Sequence, residues 1–123
     1  MDEILLISSD LQARVRLESA AGREVIVRRP SDPLGAIAPG MAVLDLDQMT
    51  AAETARWVDE VRSKDPDARV IGFFSHVQRD IGRAAEEAGV ETYRRGNFWS
   101  SASDLLGPST ERRTQGPSGS EGS

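Results

Sequence analysis

Three short apolar runs, each ending in hydroxyls or carboxylates, fix most of what this chain can fold into. Ile4-Leu5-Leu6-Ile7 opens onto Ser8-Ser9-Asp10, Met41-Ala42-Val43-Leu44 onto Asp45-Leu46-Asp47, and Val70-Ile71-Gly72-Phe73-Phe74 onto Ser75-His76. Runs of this length suit buried parallel strands, and the helix-like stretches between them imply β-α-β crossovers. In such sheets ligands and chemistry gather outside the carboxyl ends of the strands. The pattern therefore places Ser8, Ser9, Asp10, Asp45, Asp47 and Ser75 around one expected site before it says what the site does.

The helix signals have clear mechanisms. Ser9-x-x-Gln12 reads as a capping box; Leu11, Ala13, Val15, Leu17, Ala20 and Ala21 form a broad apolar side, and Gly22 stops the helix. A strand is expected from Glu24 to Arg28. Pro30-Ser31-Asp32-Pro33 then breaks the chain, and Leu34 to Ala38 leaves room for only a shortened second helix or a loop. Thr50-x-x-Glu53 is a second capping box. It leads into Ala51, Ala55, Val58 and Val61 on one face, which puts Trp57 at the rim of the core or partly in solvent. Val77, Ile81, Ala84, Ala85 and Ala88 predict the next helix, with Gly89 as its stop. A last strand from Val90 to Arg94 precedes a short amphipathic helix from Phe98 to Leu106.

Composition narrows the chemistry. The 123 residues contain no cysteine, which removes disulfides, thiolate metal sites and Cys nucleophiles and fits a reducing, cytoplasmic setting. One domain is expected over 1–107. From Pro108 to Ser123 the residues are almost wholly Pro, Gly, Ser, Thr, Gln and charge, and a disordered tail is expected there. The net charge of −5 lies in the body, since Glu111, Arg112, Arg113 and Glu121 cancel. No basic footprint for nucleic acid is present, and the first apolar stretch is too short to span a membrane.

Five strands with interleaved helices predict a flavodoxin-like, doubly wound parallel sheet of order 2-1-3-4-5. Over residues 3–106 the chain resembles a CheY-like response-regulator receiver domain. The resemblance rests on Asp45 at the phosphoacceptor position, Ser75 at the switch hydroxyl and Ala88-Gly89 before the last strand. It implies a Mg²⁺ site built on an acidic pair at the first strand end, where this chain has Ser8 and Ser9, with Asp10 the only nearby carboxylate. Neutral hydroxyls are poor substitutes for carboxylates around Mg²⁺. Receivers also end the last strand in a Lys followed by Pro; here the residues are Tyr93-Arg94-Arg95-Gly96-Asn97-Phe98, and either Arg fits the place.

A guanidinium pairs bidentately and permanently with carboxylates, unlike a mobile lysine ammonium. Arg94 or Arg95 is therefore expected to hold Asp45 in a fixed ion pair. The resulting expectation is an atypical, stand-alone receiver (a pseudo-receiver) that signals through protein contacts without efficient Mg²⁺-dependent phosphorylation and needs no cofactor. The alternative is a working phosphoacceptor of a two-component phosphorelay. There Asp45 would take phosphate from a histidine-kinase donor, with Asp10 and Asp45 among the ligands of an improvised Mg²⁺ site and Asp47 assisting. An enzyme on the same fold is the third reading, and it lacks a phosphate-cradling glycine loop and any defensible Ser-His-Asp order.

Plainer roles compete with these. Asp45 and Asp47 could cap a loop, Asp10 could complement a helix dipole, and Ser8 and Ser75 are common strand-end residues. His76 is the only histidine and reads as a solvent-facing loop residue. Tyr93, Phe98 and Trp99 cluster near the end, in the region that forms the output and dimer surface of receivers. They are the interface candidates for a sensor kinase, a downstream regulator or a second copy of the chain, with core packing the competing role for Phe98.

Overall fold

The computed structural model describes residues 3–75 and 79–106. The strands are β1 (Ile4–Ile7), β2 (Ile26–Arg28), β3 (Met41–Asp45), β4 (Arg69–Phe74) and β5 (Glu91–Arg94). The helices are α1 (Leu11–Ala21), α2 (Ala51–Lys64), α3 (Arg79–Glu87) and α4 (Arg95–Leu106), with a 3-10 turn at Leu46–Gln48. All pairings are parallel and the order is β2-β1-β3-β4-β5, the doubly wound sheet predicted from the sequence. His76 and the tail expected from residue 108 lie outside the described residues. No helix among the described residues is long and apolar enough to cross a membrane.

Strand alternation divides the core in two. Leu5, Ile7 and Leu44 point to one face and pack with Trp57, Val58, Val61, Ile81 and Ala85 of α2 and α3. Leu6, Val43, Ile71 and Phe73 point to the other and pack with Leu17, Phe98 and Ala102 of α1 and α4. Both faces of the sheet are thus covered, so the central strands need no polar alternation.

Several local expectations are corrected. The N-cap of α1 is Asp10, not Ser9: its carboxylate accepts from Gln12 N–H at 2.9 Å. Leu11 and Val15 lie on no buried face, being 76% and 66% exposed. The buried row is Ala13, Leu17 and Ala21, and a step of two residues turns about 200° around the helix, away from the sheet. The strand β2 starts at Ile26 rather than Glu24, because Val25 N–H is used by the Glu18 carboxylate. The final helix is not short: it runs for 12 residues from Arg95, directly after β5. Gly96 and Asn97 hid its first turn from a propensity reading, while Phe98, Ala102 and Leu106 bury one row of it.

The crossover from β2 to β3 forms no helix at all, and α2 takes over its task. Trp57 is completely buried, contrary to the rim position expected, and its Nε1–H donates to Pro30 O at 2.8 Å. Arg56 Nη2 donates to Pro30 O and Asp32 O at 2.6 and 3.1 Å, and Leu34 seals the loop against the core. With no second helix on the sheet, α2 turns Thr54 and Trp57 inward beside Val58 and Val61, leaving Ala55 exposed. The Thr50–Glu53 capping box forms as predicted.

Candidate functional site

The strand ends bring their polar residues together around Asp45, which is completely buried at the end of β3. Immediately after it, Leu46 drops into the core against Gly72; a Cβ on Gly72 would come within 2.8 Å of Leu46 Cδ1 and 3.2 Å of Val90 Cγ1, so a larger residue there would push these side chains from their seats. The turn brings Asp47 back over the end of β4. There the Ser75 N–H donates to both Asp47 carboxylate oxygens at 3.0 and 2.9 Å.

Each oxygen of Asp45 has a donor. Ser8, itself buried at the end of β1, donates its hydroxyl to Asp45 Oδ2 at 2.9 Å and accepts from Asp10 N–H at 3.0 Å. Arg95, the first residue of α4, donates from Nη2 to Asp45 Oδ1 at 3.0 Å and to Asp47 Oδ2 at 2.9 Å. Its Nε donates to Ser75 Oγ at 3.1 Å, and its guanidinium carbon lies 4.7 Å from the centre of the Phe73 ring. One side chain therefore bridges β3, the 3-10 turn, β4 and α4.

The electrostatics do not favour a charged Asp45 unconditionally. Burial raises its pKa above the ordinary carboxylate value; the Ser8 hydrogen bond and then the Arg95 charge oppose this, and the neighbouring Asp47 adds to the rise. Burial outweighs its opponents, so the carboxylate depends on its donors.

Of the two arginines left open by the sequence, Arg95 enters the pocket, whereas Arg94 is exposed at the end of β5. The strand alternation ends at Arg94, and the turn into α4 folds Arg95 back over the strand ends. Ser9 and Asp10 sit at the margin: Ser9 N–H donates to Gln48 Oε1 at 2.8 Å, and Asp10 caps α1. Phe98 is fully buried, Trp99 and Tyr93 are half-buried, and the Tyr93 hydroxyl donates to Glu91 at 3.4 Å. Sequence reasoning missed Gln48, which had no motif around it, and Phe73 as the platform under Arg95, which was hidden in a strand run.

The residues present do not fit a divalent cation well. Each Asp45 oxygen already accepts from a side-chain donor, Asp10 is occupied with its helix, and a guanidinium already stands between Asp45 and Asp47, where a dication would be repelled. Among the described residues no group of three or more His, Cys, Asp or Glu side chains is placed to hold a metal.

The fold these elements define is that of CheY-like receiver domains. Solved structures that share it include a CheY-like response regulator from Mesorhizobium loti, 18% identical, with 85% of this chain and 98% of that one covered and a TM-score of 0.57. A response regulator from Thermotoga maritima is 14% identical over 94% of this chain and 96% of that one, with a TM-score of 0.60. The Mn²⁺-bound form of the response regulator Rcp1 is 14% identical over 85% and 91%, with a TM-score of 0.58. No family model and no curated protein matches the sequence.

Proposed function

We propose that the chain is a receiver-like signalling module that works through protein contacts, with Asp45 held in a permanent ion pair in place of a metal-dependent phosphorylation cycle. The observation that carries this reading is the Arg95 guanidinium shared between Asp45 and Asp47. Phosphoryl transfer to a carboxylate needs an oxygen exposed to the donor and a cation to offset charge on the transferred group. Here both oxygens are engaged and the cation is part of the chain. The partner is a protein, a sensor kinase or a downstream regulator, or a second copy meeting at the Tyr93–Trp99 region.

A second reading, a phosphoacceptor in a phosphorelay, is favoured by the position of Asp45 beside Ser75 at the strand ends. It requires Arg95 to leave Asp45 before the phosphodonor arrives. Incubation with Mg²⁺ and acetyl phosphate, followed by intact mass measurement, separates the two. The expected result is no mass increase. A single phosphoryl adduct that disappears in Asp45→Asn would overturn the ion-pair reading in favour of the phosphorelay.

A further inference from the structure

The guanidinium that closes the pocket is also the first member of a stack of side chains leading to the surface. Arg95 lies over Phe73; the Phe73 ring centre is 4.9 Å from that of Phe98 and 5.5 Å from that of Trp99. Phe98 and Trp99 meet edge to face at 4.9 Å, and Arg16 of α1 lies over Trp99 at 4.3 Å. Trp99 and Arg16, with Val15, Ser19, Ala20 and Ser103, line a groove of about 380 Å³ between α1 and α4. An unbroken series of contacts thus joins the buried carboxylate to an exposed groove on one face of the sheet.

We propose that Arg95 is a positioning residue that couples the charge of the Asp45 pocket to the seating of Trp99, and so to the shape of the α1–α4 groove. This deepens the reading of the site given above and rests on the Asp45–Arg95 contact itself, not on the permanence of that pair. One nitrogen, Nη2, is shared between Asp45 Oδ1 and Asp47 Oδ2. When the Asp45 charge is withdrawn, the guanidinium recentres on Asp47, and the plane covering Phe73 moves with it. Trp99 follows Arg95 by four residues on α4, on the same side of the helix, and packs against the same ring. Close-packed side chains pass on such a displacement instead of absorbing it. The indole Nε1–H of Trp99 is buried and, among the described residues, has no hydrogen-bond partner. Its environment therefore changes with any reseating that offers it an acceptor.

The chain has two tryptophans, so a ¹H–¹⁵N spectrum of the whole protein shows two indole resonances. Trp57, bonded to Pro30 in the core on the opposite face, is the internal reference. Asp45→Asn and Arg95→Gln are each expected to displace the Trp99 resonance by several line widths in the same direction, leaving Trp57 in place. Arg95→Lys, which keeps the charge, displaces it less. Asp45→Asn adds no further displacement in the Arg95→Gln background. A Trp99 resonance that moves no more than that of Trp57, or that responds to Asp45→Asn equally without Arg95, overturns the coupling. Should Arg95→Gln fail to fold, Asp45→Asn and Arg95→Lys still decide, since the coupling requires the first to exceed the second. Phosphorylation of Asp45 would defeat the proposed function and leave this coupling standing; a silent Trp99 would do the reverse.

Discussion

Arg95→Ala is expected to destabilise the protein by about 3 kcal/mol at neutral pH, with most of the loss recovered in the Arg95→Ala/Asp45→Asn double variant. The figure reflects the position of Asp45, which is completely buried and in the variant loses the one cationic partner it has among the described residues, while the neutral donors, chief among them the Ser8 hydroxyl, remain to hold the carboxylate. Solvent entering where Arg95 stood, a side chain 30% exposed, limits the cost. The pH dependence has a definite sign. The pKa of Asp45 is already raised by burial in the wild type, and removing Arg95 raises it further. A carboxyl group with a folded-state pKa above its unfolded value stabilises the fold fully only below the unfolded value, and that contribution is lost as pH rises through the folded one. The deficit of Arg95→Ala should therefore shrink as pH falls toward the ordinary carboxylate range. Urea unfolding of the wild type, both single variants and the double variant at neutral and mildly acid pH checks this. An equal loss at both pH values, unrelieved by Asp45→Asn, would mean that Arg95 stabilises through packing on Phe73 and not through the buried charge.

Trp57→Ala should cost about 4 kcal/mol, the largest single loss expected outside the pocket. The indole fills the core where the second crossover supplies no helix, and its N–H holds the loop carbonyl of Pro30. Trp57→Phe should cost only about 1 kcal/mol, because Pro30 O still accepts from Arg56. The comparison is made by equilibrium unfolding. Similar small losses for both substitutions would show that the β2–β3 loop closes without the tryptophan.

The fold was legible in the sequence because its central strands are uninterrupted apolar runs and its helices carry explicit stops at Gly22 and Gly89, both at positive φ. What escaped depends on tertiary context. Trp57 looked peripheral on a helical wheel drawn around Ala55, since nothing local announces that a helix-less crossover will expose a carbonyl for the indole to meet. Leu11 and Val15 looked like core because they are apolar, although their angular position turns them away from Ala13 and Leu17. The start of α4 was hidden by Gly96 and Asn97, and with it the reason that Arg95 and not Arg94 reaches Asp45.

The candidate site was legible to a similar degree. The strand-end residues Ser8, Asp45, Asp47 and Ser75 were all identifiable from the apolar runs before them. That Ser75 would use its backbone N–H to bind Asp47, while its hydroxyl accepts from Arg95, depends on the 3-10 turn after β3 and could not be read from residue types. Gln48 was invisible for the same reason: its role follows from the direction in which that turn leaves the strand.

In the proposed function the Arg95 guanidinium, shared between Asp45 and Asp47, takes the place of a divalent cation. Titration of the ¹⁵N-labelled protein with Mg²⁺, following the amides of Ser8, Asp47 and Ser75, tests it most directly. No saturable displacement of these resonances is expected up to millimolar Mg²⁺. A saturable displacement that is abolished in Asp45→Asn would show that Arg95 yields the pocket to the metal, and would overturn the fixed ion pair.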